Sequence, residues 1–355
     1  MNRRMCMMTL LALPLGAHAD DAAPRALAFP ADFGAHPATH IEWWYITGQL
    51  QAAERIWGFQ ITFFRSATGL AAESRSRFAA RQLIFAHAAL TDLQQQRLRH
   101  DQRIARAGFG IAEAAEGDTA VRLHGWTLER SGPAAQSRYR AALASESAGF
   151  GLDLQFDTTQ PLLLQGEAGY SRKGPRPGQA SRYYSQPQLA VTGELREDGA
   201  THAVRGRAWL DHEWSDALLD PEAVGWDWIG MNIDDGAALT VFRLRRADGS
   251  VLWAGGSFRA AGEAMRNFGP DEVRLTPGRL WQSTASNARY PVEWTLETPA
   301  GRFAVKALLD AQELDSRSST GSIYWEGLSA LFDANGRRVG TGYLELTGYA
   351  SRLRL

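Results

Sequence analysis

The sequence predicts an all-β protein made of two tandem antiparallel β-barrel domains packed side by side. Three observations predict it. From Trp43 onward, apolar and polar residues alternate with the period of half-buried strands. Turn signals interrupt that pattern about every dozen residues. Among them are Asp198-Gly199, Asp235-Gly236, Asp248-Gly249 and Asn335-Gly336, where glycine takes positive φ at no steric cost. The two halves of the chain also repeat one another in order. Helical spacing is weak, and short helices are expected only around Ile104–Ala115 and Ala260–Asn267.

Residues 1–19 read as a Sec-type signal peptide. Arg3 and Arg4 supply the positive end, Met5 to Leu15 the apolar run, and Ala17-His18-Ala19 a small-residue cleavage site before Asp20. The single cysteine, Cys6, leaves with that segment, so the mature chain is expected to hold no disulfide or cysteine-ligated metal. No later stretch approaches the ~20 apolar residues of a membrane span. The expected address is secreted, periplasmic in a two-membrane bacterium. With 355 residues, 22% of them charged, and a formal net charge of −1, the chain has room for two globular domains and no overall field to attract nucleic acid.

Five matches carry the repeat. Trp43-x-Tyr45-Ile46 aligns with Trp226-x-Trp228-Ile229, and Thr62-Phe63-Phe64-Arg65 with Thr240-Val241-Phe242-Arg243. Trp126-Thr127-Leu128-Glu129 aligns with Trp294-Thr295-Leu296-Glu297, and the Phe150…Asp157 pair with Phe303…Asp310. The fifth joins Ala208-Trp209-Leu210-Asp211 to Gly342-Tyr343-Leu344-Glu345. The junction falls near Ser215–Val224, where Pro221 interrupts strand pairing. This divides the mature chain into residues 28–215 and 216–355. Each copy has residues for about eight strands, the number that closes a lipocalin-like (calycin) barrel around side chains or one ligand.

Chemistry-bearing side chains concentrate in His40-Ile41-Glu42-Trp43-Trp44-Tyr45, Trp209-Leu210-Asp211-His212-Glu213-Trp214 and Gly225-Trp226-Asp227-Trp228. Period two puts Glu42 and Trp44 on one strand face and Trp43 and Tyr45 on the other. It likewise groups Asp211 with Glu213, and His212 with Trp214. The repeat serves as an internal control. In that alignment Trp43 recurs as Trp226, Tyr45 as Trp228 and Asp211 as Glu345, which marks barrel-forming positions. His40, Glu42, Trp44, His212 and Glu213 meet Ala223, Gly225, Asp227, Leu346 and Thr347, which marks positions with a role of their own. Arg65 recurs as Arg243, the pattern of a barrel-closing salt bridge, while His87 lies in a strand-like segment within reach of a pocket. The loop from Ser171 to Arg182, with Arg172, Lys173 and Arg176, reads as a solvated connector or a lid.

Several chemistries are excluded. There is no dinucleotide or Walker phosphate loop and no G-x-S-x-G nucleophile elbow. His40, Glu42, His212 and Glu213 have no metal-site spacing, so neither a metal nor another cofactor is expected.

The segments His40–Tyr45, Phe85-Ala86-His87, Ala208–Trp214 and Tyr324-Trp325-Glu326-Gly327 resemble those of the AttH-like and carotenoid 1,2-hydratase-like family, often labelled "predicted secreted hydrolases". The resemblance runs along essentially the whole mature chain and implies a pair of lipocalin-like domains. It implies ABC-transporter components as partners for some members, isoprenoid chains as hydratase substrates, and an interdomain pocket in distant fungal relatives that guide cycloadditions. By the same resemblance His212 and Trp214 match positions linked to hydratase activity. The aspartate that protonates the alkene has no match at Leu239–Arg243, and Asp227, Asp234 and Asp235 lie nearby.

Two functions fit. One is binding of a hydrophobic small molecule, isoprenoid or lipid-like, between the domains. The other is a metal-independent, hydratase-like enzyme in the same pocket, adding water to a C=C bond or rearranging an isoprenoid. The candidate catalytic residues are His212, Glu213 and Glu42, with Glu213 or Glu42 as the raised-pKa acid. The candidate ligand-binding residues are His40, Trp44, His87, Asp211, Trp214, Trp226 and Trp228.

Overall fold

A computed structural model describes residues 25–69, 74, 76, 78–217 and 219–353. The signal-peptide assignment lies outside the described residues. Among these, the regular structure is antiparallel strand apart from two single 3₁₀ turns, Ala31–Phe33 and Ala134–Gln136. Neither expected helix forms. Residues 97–106 and 112–114 are strands instead, and 260–267 is a turn running into Arg266–Phe268. In the first stretch Ile104 and Ile111 are exposed, so its apolar residues mark no buried helical stripe. Among the described residues no helix is long and apolar enough to cross a membrane.

The strands form two lipocalin-like sheets that divide the chain between Ser215 and Gly225. The first has thirteen strands. Its path runs from Arg97–Arg106 through Gln82–Asp92, Arg55–Ala67, Ile41–Ala52, Ala200–Ser215 and Ala180–Glu197 to Phe150–Asp157. It continues through Arg138–Ser145, Trp126–Ser131 and Ala120–Leu123 to Ala112–Ala114. Its ends curl together: Arg103, near one end of the path, donates to Ala144 O at 2.8 Å and to His124 O across the seam. Such closure removes edges that would otherwise pair with another chain. The second sheet has ten strands, and its main path runs from Arg266–Phe268 through Val251–Arg259, Ala238–Arg245, Gly225–Ile233, Arg338–Leu346 and Ser322–Phe332. It ends through Gly301–Ala307 and Glu293–Thr298 at Arg274–Pro277. Phe268 and Leu275, from its two end strands, meet in one core.

All four Asx-Gly pairs sit in hairpin turns. Asp198 and Gly199 both have positive φ (48° and 81°), the arrangement a two-residue turn needs to match strand twist.

Hydrogen-bond register corrects the repeat by two residues. Glu42 stands opposite Arg65, and Asp227 stands opposite Arg243. The equivalent of Glu42 is therefore Asp227, not Gly225, and Trp43 matches Trp228. On the last strand of each barrel, Trp43 faces Glu213 and Trp228 faces Glu345, so Glu213 matches Glu345 and His212 matches Leu344. The Trp126 and Trp294 segments are not equivalent: one lies three strands from Ala180–Glu197, the other two strands from Ser322–Phe332.

Candidate functional site

Where Ile41–Gly48 pairs with Ala208–Ser215, the two strands are buried on both sides. One face points into the first barrel, where Trp44, Ile46, Leu50, Leu210 and Trp214 join its core. The other packs on the second barrel, where Tyr45 and Trp209 meet Trp228, Phe242 and Tyr343. Alternation thus divides the sequence clusters between two places on opposite faces of the same pair of strands.

The interdomain face opens into a pocket whose space, open mouth included, is about 1100 Å³. Trp43, Phe64, Trp226, Trp228 and Phe242 supply aromatic wall, with Leu219 and Leu353 also lining it. Three register-equivalent pairs, Trp43/Trp228, Phe64/Phe242 and Glu213/Glu345, face it from opposite barrels.

Four carboxyl groups line this apolar space. Asp211 accepts from Ser185 Oγ (2.5 Å), Trp209 Nε1 (2.7 Å) and the Tyr183 hydroxyl (2.8 Å), yet burial pushes it up to about 7. Glu326 and Glu345 are cross-strand partners. Burial raises Glu345 to about 7 and raises Glu326 well above the usual carboxylate range, the charge of Glu345 adding to the second shift. Glu213 accepts from Ser181 Oγ at 2.5 Å and pairs with Lys173 Nζ at 3.0 Å. That ammonium also stands over the rings of Phe242 (4.4 Å) and Tyr183 (4.7 Å), a cation–π arrangement. His87 meets the Tyr324 hydroxyl at 2.9 Å and Ser319 Oγ at 2.8 Å; burial lowers it to about 3, which leaves a neutral imidazole.

Inside the first barrel lies a separate polar cluster. Glu42, fully buried, accepts from the His36 backbone N–H (2.9 Å) and Arg65 Nε (2.7 Å), and is bonded to His36 Nδ1 (2.7 Å) and His212 Nε2 (2.8 Å). Burial alone would raise its pKa; the hydrogen bonds from His212 and His36 outweigh that and hold it well below the carboxylate range. His212 Nδ1 meets the Tyr184 hydroxyl at 3.0 Å, and its ring stacks on Trp44 at 4.6 Å. His36 stacks on Trp214 at 3.8 Å, which fastens the N-terminal segment across the barrel end.

His36, Glu42 and His212 bring ligand-type atoms within 4.8 Å of one another, enough to consider a metal. The donor set fits a cation poorly. Glu42 Oε1 already serves both imidazoles, Oε2 serves Arg65, and a divalent ion would sit beside a buried guanidinium. The second barrel repeats the motif without histidine: Asp227 pairs with Arg243 Nε at 2.6 Å and with Arg245 at 3.1 Å. A carboxylate–arginine pair between two adjacent strands is therefore part of the scaffold of each barrel.

The predicted site residues separate accordingly. His87, Asp211, Glu213, Trp226 and Trp228 line the pocket. Glu42, Trp44, His212 and Trp214 belong to the first barrel's interior. His40 is exposed and lines neither. The raised acids are Asp211, Glu326 and Glu345, whereas Glu42 is shifted the opposite way. Sequence reasoning missed Tyr45, Lys173, Tyr183 and Glu326 in the pocket and His36 in the barrel. Three of them carried a signal: Tyr45 within His40–Tyr45, Lys173 within the Ser171–Arg182 loop, and Glu326 within Tyr324-Trp325-Glu326-Gly327.

A family model described as AttH-like matches residues 20–349, and the chain belongs to that family. Its fold superposes on an AttH-type protein of Nitrosomonas europaea with a TM-score of 0.84 and 47% identity, over 92% of this chain and 98% of the other. Kievitone hydratase from Nectria haematococca shares the fold at a TM-score of 0.71 and 14% identity, over 92% of this chain and 94% of that one. The sequence is also 23% identical to "Kievitone hydratase" of Fusarium solani subsp. phaseoli over 194 residues, 53% of this chain. That match spans about half the relative's length, 53%.

Proposed function

We propose that this AttH-like protein binds an apolar, unsaturated small molecule between its barrels, isoprenoid or lipid-like, and adds water across one of its C=C bonds. One observation carries the reading: an aromatic-walled pocket encloses Asp211, Glu326 and Glu345, whose carboxyls burial pushes upward toward the proton-bearing form. A pocket for carriage alone needs aromatic walls; it does not need acids held in the proton-bearing form. The likeness to proteins named hydratases is consistent with it.

In this scheme the Glu326 carboxyl transfers its proton to one alkene carbon, and the other carbon becomes cationic. Trp43 and Trp228 face the cation with their π clouds. Water attacks that carbon, and the oxonium proton returns to the Glu326–Glu345 pair, which regains its starting state. His212, Trp44 and Glu42 act on the barrel and not on the reacting atoms. Association with ABC-transporter components finds no residue in the site to rest on.

The test is mass spectrometry of apolar extracts of the protein purified from its native host, followed by incubation in heavy-oxygen water. Incorporation of one labelled oxygen per ligand supports hydration. A bound isoprenoid or lipid that stays unlabelled would leave a carrier. Secretion belongs to the same proposal, and intact mass of the exported protein should place Asp20 first; cytosolic protein retaining Met1 would end it.

A further inference from the structure

The pocket holds one cation of its own, the Lys173 ammonium, and the internal repeat supplies a second position built like that site. Lys173 Nζ lies 3.0 Å from Glu213 and over the rings of Phe242 and Tyr183, at 4.4 and 4.7 Å. By register Glu213 corresponds to Glu345, Phe242 to Phe64 and Tyr183 to Glu326. Phe64, Glu326 and Glu345 line the same pocket. Lys173, one residue past Arg172, corresponds to Ser316, whose hydroxyl turns into its own hairpin and donates to Ser322 O at 2.8 Å. The second position therefore has one carboxyl more than the first and no ammonium. Among the described residues no cationic side chain pairs with Asp211, Glu326 or Glu345.

Rings surround that carboxyl pair. Trp228 stands opposite Glu345 on the neighbouring strand, and Trp226, two residues before it, hydrogen-bonds to the same carboxyl. Tyr45 interacts with Glu326, and Tyr324 lies two residues from Glu326 on one strand, lining the pocket beside it. Carboxyls bordered by aromatic faces suit an ammonium group, because the rings attract positive charge and a carboxylate balances it in a site short of water. A neutral chain needs the rings alone, and an anion would meet four carboxyls against one lysine. His87, 5.2 Å from Phe64, is neutral and sets no opposing charge here.

We propose that the pocket binds a lipophilic ammonium, a protonated or quaternary amine on an apolar chain, with its cationic head at Glu326 and Glu345 among Trp226, Trp228 and Phe64. The ligand's head repeats there the contact that Lys173 makes within the chain. This goes beyond the addition of water to a neutral alkene and does not depend on it. Burial favours the proton-bearing form of the carboxyl pair, so the entering cation takes the place of a proton, which passes to solvent. Charge in the pocket is thereby conserved: one ammonium enters as one proton leaves.

Octyltrimethylammonium, octan-1-ol and octanoate carry the same chain on a cationic, a neutral and an anionic head. Calorimetric titration of the full chain near neutral pH should show the ammonium bound about tenfold more tightly than the alcohol, the scale of a desolvated cation–π contact. Octanoate should bind more weakly than either. Repeating the titration in phosphate and in Tris, whose ionisation enthalpies differ, should show proton release with the ammonium alone. Glu345→Gln and Glu326→Gln copy the protonated carboxyls in shape, so circular dichroism should find both folded. Each should bring the ammonium toward the affinity of octanol and reduce the proton release. An ammonium bound no better than octanol, or octanoate bound best, would overturn the inference. So would a tightly bound ammonium that releases no proton, or one that both folded variants hold as well as the parent. If no probe binds, the inference falls, and the labelled-oxygen experiment still decides hydration. If the ammonium binds as expected and no ligand gains labelled oxygen, hydration falls and the ammonium site stands.

Discussion

Replacing Glu42 by glutamine keeps the side chain's shape and removes its charge, which makes it a direct probe of the polar cluster inside the first barrel. The wild-type carboxylate engages four groups: the His36 backbone, both imidazoles and Arg65. Arg65 is 2% exposed, so the variant leaves a buried guanidinium without its counter-ion. Breaking a buried pair from one side costs about 3–5 kcal/mol. For a barrel of this size that lowers Tm by roughly 6–20 °C, at 2–4 °C per kcal/mol. The sign with pH follows from the lowered carboxyl. A depressed acid contributes stability that is fully present above its unfolded value, about 4.3, and is lost as pH falls through the folded one. The gap between wild type and Glu42→Gln should stay flat from about pH 8 to 5 and narrow below about pH 4. Urea denaturation followed by tryptophan fluorescence across that range measures it. Asp227→Asn should act alike on the second barrel. If Glu42→Gln is as stable as wild type but no longer binds or converts ligand, Glu42 belongs to the chemistry and its placement in the scaffold is wrong.

His212→Leu should destabilise by about 1–3 kcal/mol, since it leaves the Tyr184 hydroxyl unpaired. Ligand titration should find the pocket unchanged; lost affinity with intact stability would return His212 to the site. Asp211 is raised to about 7, so its native form holds a proton that the unfolded chain has released, and wild-type stability should rise as pH falls from about 7 to 4. Asp211→Asn should flatten that slope by up to about 1.4 kcal/mol per pH unit, and an identical slope in both proteins would mean an ordinary carboxyl. Chelation should leave the melting temperature unchanged. A loss with EDTA that zinc restores would place a metal among His36, Glu42 and His212.

The barrels were legible because alternation and Asx-Gly turns are local, and each acts on the backbone without help from distant residues. The assignment of Glu42 with Trp44 against Trp43 with Tyr45 was legible for the same reason. Which face meets the pocket was not. Both sides of Ile41–Ala52 are buried, so neither shows the polar pattern of a solvent face. The two-residue slip in the repeat has a related cause. A shift of one would have turned every side chain to the wrong face and declared itself, whereas a shift of two preserves the pattern. Only the pairing of Glu42 with Arg65 and of Asp227 with Arg243 fixes the count. That correction moves Glu42 from the distinctive residues to the scaffold, and it pairs Glu213 with Glu345 across the pocket. Lys173 and Tyr183 lie in or next to a stretch whose reading stopped at connector or lid.

Trp43 and Trp228, Phe64 and Phe242, and Glu213 and Glu345 hold equivalent positions in the two barrels and line one pocket. Equivalent surfaces set toward each other are the arrangement of a two-fold homodimer. A single ancestral barrel that paired through this face would have enclosed a cavity with identical halves, where any substitution appeared twice. Joining the copies in one chain lifts that restriction. Tyr45 and Gln60 can arise in one half while Gly230 and Ala238 persist in the other, so a symmetric cleft acquires a head and a tail. A chain molecule bound there can then be held in one direction only, a selectivity that the paired ancestor had no means to encode.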